Sequence, residues 1–174
     1  MVSNRNVYTT AYNLGMFYLS TIKPSPNYAV MFDIDDTLLN TKNEKGIKPM
    51  IQLLHECNKM GIKVIIITAR DSIHTHGTVH DLMKIGIYPN NGSIHYDNIH
   101  YDYLYLRQSP QDNHELFKSN VKQKFAKHGI YTIMSIGDND IDIIGNYSGY
   151  AIKLPNTHDP RLFHKVNGKM VQVI

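Results

Sequence analysis

The sequence predicts an α/β fold with a parallel sheet covered by helices on both faces. Three observations carry that expectation. Short apolar runs alternate with longer stretches of helical periodicity along the chain. The runs 28–32 and 63–67 are continuous rather than alternating, as in strands buried on both sides. Three runs stop abruptly at a polar residue, Asp33, Thr68 and Asp138, which places those residues at strand ends.

Each element follows in order. Residues 7–22 read as a helix, closed by the breaker run Lys23-Pro24-Ser25-Pro26-Asn27. Tyr28-Ala29-Val30-Met31-Phe32 is the first strand. Residues 49–61 form a helix with Pro49 near its start and Gly61 at its end. Met50, Leu54 and Cys57 share one face of that helix, so the single cysteine reads as a small core hydrophobe. Lys63-Val64-Ile65-Ile66-Ile67 is the second strand, and 72–85 a helix closed by Gly86. Residues 101–106 give a third strand. A helix over 111–128 follows, with Phe117, Val121 and Phe125 in one stripe. Strands at 131–136 and 150–154, joined by a short helix, complete a sheet of about five strands. The expected organisation is one domain over 1–174, with 1–27 as N-terminal helix and linker and 28–160 as core.

Composition narrows the class. The chain has 174 residues, 42% hydrophobic and 19% charged, which suits a globular domain and not a disordered one. One cysteine excludes an intrachain disulfide and a multi-cysteine zinc site. No apolar run approaches the length of a membrane-spanning helix. Residues 1–23 lack the basic start and apolar block of a signal peptide, so a cytoplasmic location is expected. The formal charge of +3 is too mild to argue for nucleic acid without clustering.

The acidic residues are the informative ones. Six of the 12 aspartates fall in two short windows, Asp33/Asp35/Asp36 and Asp138/Asp140/Asp142. Like charges this dense repel unless a cation or a reaction requires them. In a parallel sheet both windows project into the crevice beyond the carboxyl ends of the strands, where they face each other. A carboxylate such as Asp33 is a competent nucleophile toward phosphorus. A second carboxyl two residues on, Asp35, can protonate a leaving oxygen and then deprotonate water. Two carboxylates beside a phosphate need a divalent cation, and Mg²⁺ is the expected one because it is hard and prefers oxygen. Asp138 would supply a ligand, and Asp142 a ligand or an anchor behind it.

Asp33-x-Asp35-x-Thr37, Thr68 after an apolar strand, Lys118, and Gly137-Asp138-x-x-x-Asp142 together resemble the four motifs of the haloacid dehalogenase (HAD) superfamily. Leu104-Tyr105-Leu106-Arg107, Phe117-Lys118, Gly137-Asp138-Asn139-Asp140-Ile141-Asp142 and Lys153-Leu154-Pro155-Asn156 are similar to its acid phosphatase branch, with plant and bacterial class B members. The resemblance spans about 28–160 and implies a Rossmann-like α/β/α fold. It implies Asp33 as nucleophile and metal ligand. Asp35 would be the general acid and base, its carbonyl on Mg²⁺, and Thr37 would steady the loop. Thr68, with Ala69 and Arg70 after it, would bind the substrate phosphate. Lys118 would offset charge, and Asp138, with Asp142 beside it, would bind Mg²⁺. Two positions depart from the pattern. The usual Thr-Gly-Arg is Thr68-Ala69-Arg70, and an arginine common four residues after the motif lysine is Lys122.

Several features have a plainer reading. Lys122 rivals Lys118 as motif lysine, whereas Lys124 and Lys127 read as a solvated face. Arg70 and Arg107 suit substrate contact or a surface ion pair equally. His74, His76 and His80 have zinc-like spacing but read as surface residues. Tyr101, Tyr103 and Tyr105 alternate as one strand face, though with Tyr96 they could also stack bases. The gaps from Thr37 to Thr68 and on to Lys118 leave no room for a large cap, and 88–100 is the candidate lid.

The expected function is a Mg²⁺-dependent phosphomonoester hydrolase acting on phosphorylated small molecules. The alternatives are a nucleic-acid 3′-end or protein phosphatase on the same core, and a non-catalytic binding or storage homologue. No membrane partner is expected, and the resemblance allows a homo-oligomer.

Overall fold

The computed structural model describes residues 4–92, 98–109, 112 and 114–174, with side chains from residue 7 onward. In chain order the elements are α1 (Asn4–Ser20), β1 (Tyr28–Phe32), β2 (Leu39–Asn40), β3 (Lys45–Gly46), α2 (Lys48–Lys59) and β4 (Lys63–Asp71). A 3₁₀ turn (Ser72–His74) leads into α3 (Thr75–Lys84), β5 (Tyr88–Pro89), β6 (His100–Tyr101), β7 (Tyr103–Arg107) and α4 (Phe117–Lys127). β8 (Tyr131–Gly137), α5 (Asp140–Ile143), β9 (Tyr150–Lys153), β10 (Phe163–Val166) and β11 (Lys169–Gln172) follow.

The main sheet has seven strands in the order β11-β10-β9-β8-β1-β4-β7. β9, β8, β1, β4 and β7 are the five strands expected from the sequence, and they pair in parallel. Two further strands correct the count. β10 and β11 add to β9 as an antiparallel ribbon, so the sheet continues past residue 160, the expected end of the core, to Gln172. Their side chains are half-buried or exposed, so they lack the continuous apolar run that reveals a central strand.

The alternation of side chains along each strand divides the core into two layers. Val30 and Phe32 of β1, with Val64 and Ile66 of β4, face a cluster containing Ala11 and Leu19 of α1 and Met50, Leu54 and Cys57 of α2. Ala29 and Met31, with Ile65 and Ile67, face Phe117 and Val121 of α4. Helices therefore cover both faces, and all of these residues are buried. β1 lies at the middle of the five parallel strands, where its residues are apolar in both directions.

Local departures from expectation have local causes. The expected helix 72–85 opens as a 3₁₀ turn because Asp71 accepts from Ile73 N–H and redirects the chain. The expected helix 111–128 begins at Phe117; residue 111 lies outside the described residues. Tyr101 belongs to β6, which pairs with β5, whereas Tyr103 and Tyr105 of β7 pack on Phe125 and Phe117, with ring centroids 5.0 and 6.3 Å apart. Tyr96 and 93–97 of the candidate lid lie outside the described residues. No large cap is seen among the described residues; the insertion between Thr37 and Thr68 holds only the β2–β3 hairpin and α2.

Candidate active site

The carboxyl ends of β1, β4 and β8, three adjacent strands, build one crevice. Asp33 follows the last residue of β1, and its N–H donates to Ile136 O at 3.1 Å. The chain then turns sharply: Ile34 O accepts from the N–H groups of Thr37, Leu38 and Leu39. Asp36 takes a left-handed backbone (φ 53°), a conformation that short polar side chains tolerate. Its carboxylate accepts from Thr41 N–H and Oγ1 at 3.0 and 2.8 Å, fixing the turn. Asp138 follows β8, and Asp142 rises from α5 behind it. A Cβ on Gly137 would overlap the Asp142 carboxylate, so only glycine allows that approach.

Asp33, Asp138 and Asp142 are buried, with one carboxylate oxygen from each lying within 4.8 Å of the others. Lys118 is 1% exposed and reaches this cluster from α4. Its Nζ donates to Asp33 Oδ1 at 2.6 Å and to Asp142 Oδ1 at 2.5 Å. The other Asp142 oxygen accepts from Asn139 N–H at 3.0 Å. Three buried carboxylates thus share one ammonium. Burial pushes the Asp33 carboxyl up to about 8, with Lys118 opposing and Asp142 reinforcing the rise. Burial, then Asp142 and Asp36, push Asp138 up to about 7. Burial works against the Lys118 charge, but the two carboxylates outweigh it and hold its pKa above the ordinary lysine value. The charge deficit of the cluster equals one divalent cation, and its donors are all oxygen. The residues therefore fit a hard divalent metal ion.

The remaining expected residues divide into those in the crevice and those beside it. Asp33, Asp35, Thr68, Ala69, Lys118, Asp138 and Asp142 line a cavity of about 450 Å³. Thr68 is 1% exposed, and its Oγ1 accepts from Arg70 N–H at 3.2 Å. Thr37 is buried outside the cavity lining, with no partner found for its hydroxyl. Arg70 makes the ion pair that the sequence left open beside phosphate contact. Its guanidinium grips both oxygens of Asp35, at 2.7 and 3.0 Å, and Asp81 at 2.9 Å, in a separate lateral cavity. The planar fork matches a carboxylate in two-point geometry, and Asp35 and Asp81 are the carboxylates within reach.

Lys118 and Lys122, one turn apart, are used differently. Lys122 is fully buried and donates to Asp142 O and Ser148 Oγ, both at 2.7 Å, and to Ser135 Oγ at 3.3 Å. Its three protons are satisfied there, away from the cavity lining, and burial pulls its pKa down to about 7. Lys124 and Lys127 are exposed, as expected of a solvated face. His74, His76 and His80 are also exposed. Among the described residues the three aspartates form the one group of candidate metal ligands.

Several contributors escaped the sequence reading. Asp36, His114, Asn139, Asp140 and Ile141 also line the cavity. Asp36 and Asp140 were visible in the acidic windows, whereas His114 carried no local signal. Tyr8 of α1 lies in the field of Asp36 and Asp138, which adds to burial in raising its phenol pKa. No sequence pattern couples residue 8 to residue 138.

A parallel sheet with a buried carboxylate cluster at its strand ends, and a buried helix lysine set against that cluster, defines the class. The family model for the HAD superfamily, subfamily IIIB (Acid phosphatase), matches residues 39–159, and the chain belongs to that family. The matched stretch contains Thr68, Lys118, Asp138 and Asp142 and opens just beyond the turn that carries Asp33 and Asp35. Acid phosphatase 1 of Solanum lycopersicum is 28% identical over 131 residues, 70% of this chain and 46% of the tomato protein. The chain thus spans about half the length of that relative. Among solved structures, the class C acid phosphatase of Bacillus anthracis aligns over 83% of this chain and 67% of its own, at TM-score 0.62 and 15% identity. Its tungstate-bound form aligns at 0.63 and 16% over the same shares. A chain of the Pnkp1/Rnl/Hen1 complex aligns over 74% of this chain and 46% of its own, at 0.57 and 16%. At these identities the likeness concerns the fold. No described helix is long and apolar enough to cross a membrane.

Proposed function

We propose that the protein is a Mg²⁺-dependent phosphomonoester hydrolase that forms an aspartyl-phosphate on Asp33. The observation that carries this reading is the buried Asp33–Asp138–Asp142 cluster, balanced by Lys118 alone, in a member of an acid phosphatase family. Asp33, Asp138 and Asp142, with the backbone carbonyl of Asp35, would hold the metal. When bound, Mg²⁺ supplies positive charge that lets a phosphate dianion approach the carboxylates.

The chain's own groups then divide the work. The Asp33 oxygen not held by Lys118 attacks phosphorus, and the ester P–O bond breaks. Asp35, protonated, gives its proton to the leaving oxygen. In the second half Asp35, now a carboxylate, takes a proton from water as the water oxygen attacks phosphorus. Inorganic phosphate leaves and Asp33 is restored. Thr68 donates to a phosphoryl oxygen, and Lys118 offsets the charge that gathers on the phosphoryl group. Asp35 must turn from Arg70 to reach the leaving oxygen, so Arg70 governs the acid rather than the phosphate in this arrangement.

The test is hydrolysis of a phosphate panel with Mg²⁺ and with EDTA, for wild type and Asp33→Asn. The panel holds an aryl phosphate, nucleoside monophosphates, a phosphopeptide and a 3′-phosphorylated oligonucleotide. Mg²⁺-dependent turnover lost in Asp33→Asn is expected. Turnover that persists in the variant would overturn the nucleophile, and no turnover by wild type on any member would overturn the reading.

A further inference from the structure

A second cavity of about 440 Å³ adjoins the catalytic one and shares Asn139 and Asp140 with it. It is built where the antiparallel ribbon joins the parallel sheet. Lys153, the last residue of β9, pairs in register with Gly137 on one side and Phe163 on the other. Its Cα therefore sits one strand spacing, about 4.8 Å, from the residue that precedes Asp138. Phe163 and Met170 of the ribbon give the cavity its apolar wall, and Asn156 and His158 its polar one.

Lys153 is the unusual group here. It is 8% exposed, yet its Nζ makes a single long hydrogen bond, 3.5 Å to Leu154 O, and otherwise lies 5.7 Å from the Phe163 ring centre. Lys118 and Lys122, more deeply buried, have two and three hydrogen-bond partners. An ammonium at a cavity wall with so few protein partners is placed to take an anion. Asp159 lies in the field of Lys153, but no hydrogen bond or ion pair joins the two among the described residues. Both oxygens of Asp159 are held by Arg161, at 2.8 and 2.9 Å. Asp140 is exposed on the rim shared by the two cavities. The wall is already formed: Asn156 Nδ2 donates to Asp138 O at 2.7 Å, and Asn156 Oδ1 accepts from His158 and Asp159 N–H.

We propose that this cavity is the subsite for the leaving group, and that Lys153 binds a second oxyanion, carboxylate or phosphate, carried by that group. The proposal rests on the phosphatase reading for its substrate and on Lys153 for its selectivity. The ester phosphate sits at Asp33, the chain of the leaving group passes Asn139 and Asp140, and its far anion meets Lys153. Asp140 repels an anion that stops short at the rim, so the subsite selects on tail length as well as charge.

The experiment compares ω-carboxyalkyl phosphates of two to six carbons with their carboxamides, and with the matching bisphosphates, in Mg²⁺. A carboxylate and its amide of equal length differ in charge but little in leaving-group chemistry. Wild type is expected to favour an anionic tail of fitting length in kcat/KM by about tenfold, the value of one charged contact. Lys153→Met should abolish that preference and leave carboxamide turnover within about twofold of wild type. The carboxylate and bisphosphate arms tell which oxyanion fits better. Equal kcat/KM for acid and amide in wild type at every length overturns the subsite, as does equal loss of both in Lys153→Met. If Lys153→Met does not fold, the wild-type ratio decides. Calorimetric binding of the same pairs to Asp33→Asn separates the two readings: a tail preference in binding without turnover in wild type upholds the subsite and removes the hydrolase.

Discussion

Replacing Lys118 with Met leaves the volume of the site nearly unchanged but removes the ammonium that touches its carboxylates. Lys118 is 1% exposed, Asp33 5% and Asp142 0%, and the two contacts are 2.6 and 2.5 Å. Breaking a buried ion pair from one side costs about 3–5 kcal/mol, because the abandoned charge cannot return to water. For a chain of this size each kcal/mol moves the melting temperature by about 2–4 °C, so the metal-free variant should melt roughly 6–20 °C lower. The lower part of that range applies where Asp33 takes up a proton instead of remaining charged. On the proposed reading, Mg²⁺ bound to the native cluster would stabilise it by mass action, by about 2.7 kcal/mol at 100 times its dissociation constant. Without Lys118 no described ammonium touches the carboxylates, so the Mg²⁺-induced rise in melting temperature should be larger in the variant than in wild type. The assay is thermal unfolding at pH 7.5, in EDTA and across a Mg²⁺ titration. A variant that melts within about 2 °C of wild type in EDTA would refute the argument that Lys118 compensates buried charge.

Three further outcomes follow from the same geometry. Metal-free stability should fall from pH 5 to pH 7: native Asp33 and Asp138, pushed up to about 8 and 7, keep protons that the unfolded chain has released above about pH 4, whereas above pH 7 the fall stops because Lys122, pulled down to about 7, gives up a proton that the unfolded lysine keeps. Saturating Mg²⁺ should flatten that slope, and melting curves in EDTA that rise with pH over that range would contradict it. Thr37→Val should be neutral or stabilising by up to about 1 kcal/mol, because the buried hydroxyl lacks a partner, and a denaturant midpoint clearly below wild type would show a bond at that hydroxyl. On the proposed mechanism Asp35 must leave Arg70 to serve as the acid, so Arg70→Gln should raise kcat for alkyl phosphates, by up to about tenfold, and leave activated aryl phosphates nearly unchanged. Equal effects on both substrate types would remove Arg70 from the positioning of Asp35.

By itself the sequence determined the alternation of strands and helices, the central parallel strands and the residues at their ends. Those features are local: a continuous apolar run, its terminating Asp or Thr, and a helical stripe such as Phe117, Val121 and Phe125 each lie within a few residues. The family was legible for the same reason, as its motifs are short and sit at strand ends. Tertiary structure decided the rest. Whether Lys118 or Lys122 meets Asp33 depends on a rotation of one turn of α4 over the sheet, and both read alike as lysines on a helix. The partner of Arg70 depends on Asp81, eleven residues away on another element, and on which carboxylate its fork reaches first. The β10–β11 ribbon was hidden because edge strands, open to water on one side, need no continuous apolar run. The second cavity and its under-partnered Lys153 exist only once that ribbon pairs with β9, because a lysine at the end of a strand becomes a buried charge only when a neighbouring strand covers it.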